Sequence, residues 1–144
     1  MSLPLLESDQ FKYRLYDFLN ERGRSVIHEW VKHEKLTVRD RAALNLRFKR
    51  IRQVDFNLAQ GSLINGPIHK HVYKCVIHAD VMLRPMLCRG PLKIEEEYTL
   101  LLGAIEKDRK LPKGSKEQAE MNRETLVRYP TKRRPHESIS KSPK

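Results

Sequence analysis

The chain has 144 residues, with 29 Lys and Arg against 18 Asp and Glu, giving a formal net charge of +11. That length holds one domain, and 39% hydrophobic residues suffice for a packed core and exclude a wholly disordered chain. No apolar run approaches the roughly 18 residues of a membrane span, the two cysteines cannot build a disulfide framework, and the opening residues, MSLPLLESDQ, lack the basic and apolar regions of a secretory signal. The expectation is a reduced, cytoplasmic protein, and a charge of this size favours polyanionic partners such as nucleic acid, the ribosome or an acidic protein.

Phe11, Tyr13 and Leu15 alternate with Lys12, Arg14 and Tyr16, the pattern of a half-buried strand, although Phe11, Leu15, Phe18 and Leu19 also allow a helix. From Asp17 to His33 the spacing is helical, with Leu19, Val26, Ile27, Trp30 and Val31 on one side and Gly23 an interruption. Thr37 and Asp40 have capping-box spacing. Leu44, Phe48, Ile51, Val54 and Leu58 then recur every three or four residues, so 37–59 reads as the second helix of a hairpin. That segment holds six Arg and Lys against two Asp, a net +4, with Arg47, Lys49, Arg50 and Arg52 beside or opposite the apolar stripe. GSLINGP, 61–67, is turn chemistry. Strands follow at 71–78, at 81–88 with Pro85 marking an irregularity or an edge, and at 98–105, whose continuous apolar run predicts the central strand. Ser115 and Gln118 form a capping pair for a last helix over about 116–129, ended by Pro130. The final PTKRRPHESISKSPK carries five Lys and Arg against one Glu, a net +4, and almost no apolar residue. It is expected to be a basic flexible tail, 131–144, on a domain spanning 1–130. The fold class is α+β, with strand, helical hairpin, three meandering strands and a C-terminal helix packed on one small, mostly antiparallel sheet.

Cys75 and Cys88 fall on adjacent strands, with Cys75 opposite about Arg84 and Cys88 opposite about His71, and read as small buried residues. His69 and His71 flank Lys70 on one strand face; they are a displaced general base, RNA contacts or ordinary surface histidines. No third ligand stands at zinc-like spacing, so no metal and no cofactor is expected. Arg89, in MLCRGP, presents either an anion contact or a tight turn closed by Pro91. Trp30 reads as core, and no aromatic pattern for base stacking is present.

The segment LLLGAIEKDRKLP, 100–112, resembles the end of toxins of the RelE/ParE superfamily, especially the HigB branch and its phage-encoded relatives, where the last strand reads like LLHGFVKKTQKTP. Gly103, Lys107, Lys110 and Pro112 match without gaps, and Ala119 and Arg123 follow on the last helix. VYKCVI resembles that branch's VYELRI, Arg84 stands where its next strand carries an arginine, and Asp17, Phe18 and Leu19 resemble its EFL. The resemblance runs from about residue 11 to 128 and implies a type II toxin encoded beside an antitoxin, typically a small helix-turn-helix protein. The HigB-type function is ribosome-dependent cleavage of mRNA without a metal. ParE relatives share the fold and instead inhibit DNA gyrase, and a non-toxic nucleic-acid-binding protein of the same fold is a third reading.

RNA cleavage through the substrate's 2′-hydroxyl needs a base, a cation for the charged phosphorane and an acid for the leaving oxygen. The resemblance places the cations at Arg84, Lys107 and Lys110; His71 is expected as a displaced base, and by charge and position Arg47, Lys49, Arg50, Arg52, Lys70 and Arg89 are expected to contact RNA or ribosome. The alternatives are a strand arginine paired to a carboxylate for Arg84 and a solvated loop for the lysines. Leu102, Ala104, Glu106, Val76 and Leu87 depart from the branch at positions where it carries histidine, aromatic or basic side chains.

Overall fold

The computed structural model describes residues 11–143. The opening residues read as lacking a secretory signal, and Lys144 of the expected tail, lie outside them. Strand β1, Arg14–Phe18, comes first. Ser25 caps helix α1, Val26–His33, its Oγ accepting the His28 amide at 3.1 Å. Thr37 caps α2, Val38–Gln53, with the full capping box: the Asp40 amide donates to Thr37 Oγ1 and the Thr37 amide to Asp40 Oδ2, both at 3.1 Å.

The helix expected over 37–59 stops at Gln53, and Asp55 caps a separate turn, α3, Phe56–Ala59. The start of the chain's first strand causes the stop. The Arg52 carbonyl accepts the Lys12 and Tyr13 amides at 2.7 and 3.1 Å, and the Phe56 amide donates to the Tyr13 hydroxyl instead of continuing the helix. Leu58, placed on the apolar stripe by periodicity, is consequently 74% exposed.

The remaining elements are β2 Asn65–His69, β3 Val72–Lys74, β4 Ile77–His78, β5 Met82–Leu83, β6 Met86–Arg89, β7 Glu97–Leu102, α4 Ser115–Arg128 and β8 Arg133–Pro135. The main sheet is ordered β2-β3-β6-β7-β1-β8, antiparallel except for the β1–β7 pair; β4 and β5 form a separate ribbon. The α+β class and the mostly antiparallel sheet are as expected, and β7 is a central strand. Three details differ. The turn-like GSLINGP also supplies the first residues of β2. The strands expected at 71–78 and 81–88 are each split, because Pro85 has no amide for the ladder while its carbonyl accepts the Cys75 amide at 2.9 Å. The last helix is capped by Gly114 in the left-handed region, φ 79°, with no side-chain cap, rather than by a Ser115–Gln118 pair.

Alternation sorts the sheet's side chains onto two faces. Leu15, Leu87, Tyr98 and Leu100 meet Ile27, Val31, Leu44, Phe48 and Ile51 of the hairpin. Phe18, Met86, Cys88 and Leu101 meet Ala119 and Leu126 of α4. Cys75 and Cys88 lie in different halves of this core, and burial pushes both thiols up to about 12. Cys75 stands against Pro85 rather than Arg84, one position from the expected register.

The segment expected as a flexible tail is part of the fold. Strand β8 pairs with β1, and the His136 amide donates to the Leu15 carbonyl at 2.9 Å. Arg133 forms a 2.6 Å ion pair with the buried Glu97 and stacks 3.8 Å over the Tyr16 ring. Beyond the strand, Asn45 closes a double hydrogen bond with Ile139, and Arg41 Nη1 donates to the Ser140 and Ser142 carbonyls. Ile139, at 2% exposure, joins the hairpin core. Composition pointed to disorder because a single isoleucine and a few ion pairs carry the docking.

Fully buried Asp17 on β1 ties these pieces together. Its Oδ1 lies 2.7 Å from His136 Nδ1, its Oδ2 lies 3.2 Å from His28 Nδ1, and Arg134 Nε stands 3.8 Å away. Burial disfavours its charge, but the hydrogen bonds and charges of His136 and His28 outweigh that and hold its carboxyl at about 2. Burial also works against protonating His28, yet Asp17 raises it above the ordinary histidine value.

Two outcomes are expected. Deleting 131–144 lowers the urea unfolding midpoint sharply, because it strips the β1 edge, leaves Glu97 without Arg133 at a cost of about 3 kcal/mol and leaves Asp17 with His28 alone; a tail that only extends into solvent would leave the midpoint unchanged. The His28 contribution is complete below pH 6.5 and is lost as pH rises through its higher folded value, while that of Asp17 is lost only as pH falls toward about 2. Unfolding midpoints between pH 5.5 and 8.5 should therefore fall with rising pH, and the slope should flatten in His28→Gln.

Candidate polyanion-binding site

Just past Leu102, the last residue of β7, Trp30 of α1 lies against Gly103: a Cβ there would stand 2.0 Å from Trp30 Cδ2. The chain then leaves the main sheet and extends the β4–β5 ribbon. The Arg84 amide donates to the Ala104 carbonyl at 2.8 Å, Leu83 bridges Ile105, and the Glu106 amide donates to the Met82 carbonyl at 2.9 Å. Beyond this base the backbones of Lys107 and Lys110 exchange both hydrogen bonds, at 3.0 and 2.9 Å, around a two-residue turn. Asp108 and Arg109 sit at φ 52° and 64°, in the left-handed region that a type I′ hairpin requires and that non-glycine residues enter at a cost of about 1 kcal/mol each. The turn sets two exposed lysines directly opposite each other with Arg109 between them, a pairing of like charges that weakens the ribbon by itself.

Two clefts flank this tip and share Lys110, Leu111 and Pro112. One, of about 390 Å³, is lined by Lys107, Lys110, Glu34 and the partly exposed Trp30. The other, of about 440 Å³, lies at the start of α4 and carries Lys74, Arg109, Lys110, Lys113 and Lys116 against Glu106 and Glu117. Among the described residues none forms an ion pair with any of these five cations. The sequence reading placed Trp30 in the core; its position over Gly103 at a cleft wall is a tertiary result, and no local pattern marks it.

The expected site residues are dispersed. Arg84 is 4% exposed, its Nε held by Glu106 Oε1 at 2.9 Å and its Nη1 by the Leu83 carbonyl at 2.9 Å. It sits inside the ribbon base, paired to the Glu106 carboxylate. His71 is exposed on the β2–β3 turn beside Glu120, at 3.6 Å, with Lys70 next to it at φ 50°. Arg89 stacks 4.1 Å over Phe56 and pairs with Glu95 at 3.3 Å. On α2, Arg47 donates to the Leu63 carbonyl at 3.1 Å and Arg52 donates to the Tyr13 carbonyl at 3.1 Å, while Lys49 and Arg50 are exposed. Lys107 and Lys110 of the expected set share a cleft, with Arg84 fixing the ribbon that carries them, and Lys49 and Arg52 line a separate one against His136 and Ile139. Arg109, Lys113, Lys116 and Lys74 complete the cationic surface and were not singled out as site residues from sequence, although the run EKDRKLPKGSK signals the first three by charge density.

Among the described residues the Ser25, His28 and Asp17 cluster is not arranged as a hydrolytic triad. Ser25 Oγ and Asp17 Oδ2 approach the same nitrogen of His28, Nδ1, at 2.9 and 3.2 Å, whereas a proton relay needs opposite nitrogens. Among the described residues no group of three or more His, Cys, Asp and Glu is placed to hold a metal, and no helix is long and apolar enough to cross a membrane.

Stability and binding should separate at this site. Arg84→Ala is expected to lower stability by about 3 kcal/mol by stranding Glu106 in a half-buried position, whereas Lys110→Ala should raise it by about 0.3 kcal/mol through relief of the opposed charges; chemical denaturation of both variants reads the difference. Set against family models, curated proteins and solved structures, the chain matches none.

Proposed function

We propose that this protein is an RNA-directed toxin of the RelE/HigB type, acting on translation and held in check by an antitoxin. The observation that carries the reading is the ribbon tip. A strained turn holds Lys107 opposite Lys110 against their repulsion, beside a cleft with a partly exposed indole, an arrangement that gains when a polyanion neutralises it. The order of strand, helical hairpin, antiparallel strands, a last strand parallel to the first, and a final helix supports the same reading. In this proposal Lys107 and Lys110 bind phosphates, Trp30 offers a face to a base, and Arg84 is a positioning residue that anchors the ribbon through Glu106.

A second reading, a non-nuclease toxin of the ParE type that blocks a protein target, is favoured by one specific observation. Arg84 is enclosed, and Leu102 and Ala104 are apolar, so the ribbon base offers no acid–base pair to the substrate.

Trp30 is the single tryptophan, so its fluorescence reports on the cleft. Single-stranded RNA is expected to quench it, with a log–log salt slope of about −3 if four lysines each neutralise a phosphate, falling by about 1.4 in the Lys107→Ala, Lys110→Ala double variant. Inducible expression completes the test. Growth arrest with new mRNA 5′ ends, lost in the double variant, supports the RNA-directed toxin. Arrest with intact mRNA and altered supercoiling supports the second reading, and absence of arrest overturns both.

A further inference from the structure

The cleft at the start of α4 contains a combination that the ribbon tip does not explain. The helix is 14 residues long, and its N-cap, Gly114, contributes no side-chain hydrogen bond to the first turn. The Ser115 amide is already used by the Pro112 carbonyl, at 3.1 Å, so the next amides, of Lys116 and Glu117, are the donors that the end of a helix leaves over. Ser115 lines this cleft at 9% exposure, and its hydroxyl has no hydrogen-bond partner. A buried hydroxyl without a partner is costly to a fold, and here it lies at the positive end of a helix among Lys110, Lys113 and Lys116.

We infer that this cleft is a phosphate-binding site, taking one backbone phosphate of the RNA whose neighbouring nucleotides lie along the ribbon tip. Ser115 Oγ–H and the Lys116 and Glu117 amides donate to the phosphate oxygens, and the lysines supply the countercharge. The commitment to RNA rather than free phosphate rests on the functional reading above and on continuity: the cleft shares Lys110, Leu111 and Pro112 with the one that holds Trp30.

The test uses the full chain, isotopically labelled, titrated with a single-stranded RNA hexamer and separately with inorganic phosphate while amide NMR shifts are followed. RNA is expected to move the Lys116 and Glu117 amides, phosphate at high concentration to compete, and Ser115→Ala to weaken RNA binding about fivefold. That variant removes a hydroxyl without a partner and so leaves the fold intact; unchanged affinity in it overturns the site. RNA that quenches Trp30 while leaving the two amides unmoved overturns the site and spares the RNA-directed reading. Amides that respond to phosphate alone also overturn it, and no RNA binding of any kind overturns both.

Discussion

A carboxylate with no access to water needs positive partners, and Asp17 draws them from two segments that lie more than a hundred residues apart in sequence. His28 arrives on the first helix, and His136 and Arg134 arrive on the last strand and just beyond it. Removing any one of these partners leaves charge stranded in the core, so the hairpin, the β1 edge and the C-terminal segment are held as one unit. The same segment delivers Arg133 to Glu97, the second buried carboxylate of the central strands, which sits opposite Arg14 in the parallel β1–β7 register. Two of the C-terminal charges that composition assigns to solvent, Arg133 and Arg134, are thus turned toward buried carboxylates.

The chain leaves its ladder close to this cluster, at Gly103, three residues past the Asp17–Leu100 pairing. Trp30 packs against Gly103 where the backbone passes from β7 into the ribbon, the Arg84–Glu106 pair fixes the ribbon base, and the tight turn beyond displays Lys107, Arg109 and Lys110. Each step runs from a packing constraint to an exposed charge. The cost is visible locally, in two non-glycine residues at positive φ and two lysines face to face. Strain and repulsion that persist in a folded chain point to a use outside the fold's own stability.

Much of the frame was legible. The capping box at Thr37, the apolar run of β7 and the turn chemistry of GSLINGP act through neighbours in sequence, and local rules read them, although the strand expected at 98–105 stops at Leu102. The end of α2 was not legible, since it depends on the Tyr13 hydroxyl and on amides that arrive from forty residues earlier. Nor was the enclosure of Arg84: its position in the strand could be read, but whether its guanidinium meets Glu106 or solvent depends on the pairing of 82–84 with 104–106.

By itself the sequence determined the α+β class, the order of its main elements, the excess of positive charge and the place of Lys107 and Lys110 just after an apolar strand. Only the tertiary structure decided which charges stay outside. Arg133, Arg134 and Arg41 are drawn inward by buried carboxylates and open carbonyls, while Lys107, Lys110, Lys113 and Lys116 find no such partner and remain at the surface. The reason is physical. Periodicity records which face of an element is apolar, but the fate of a charge depends on a partner brought near from elsewhere in the chain, and only the folded backbone brings it there.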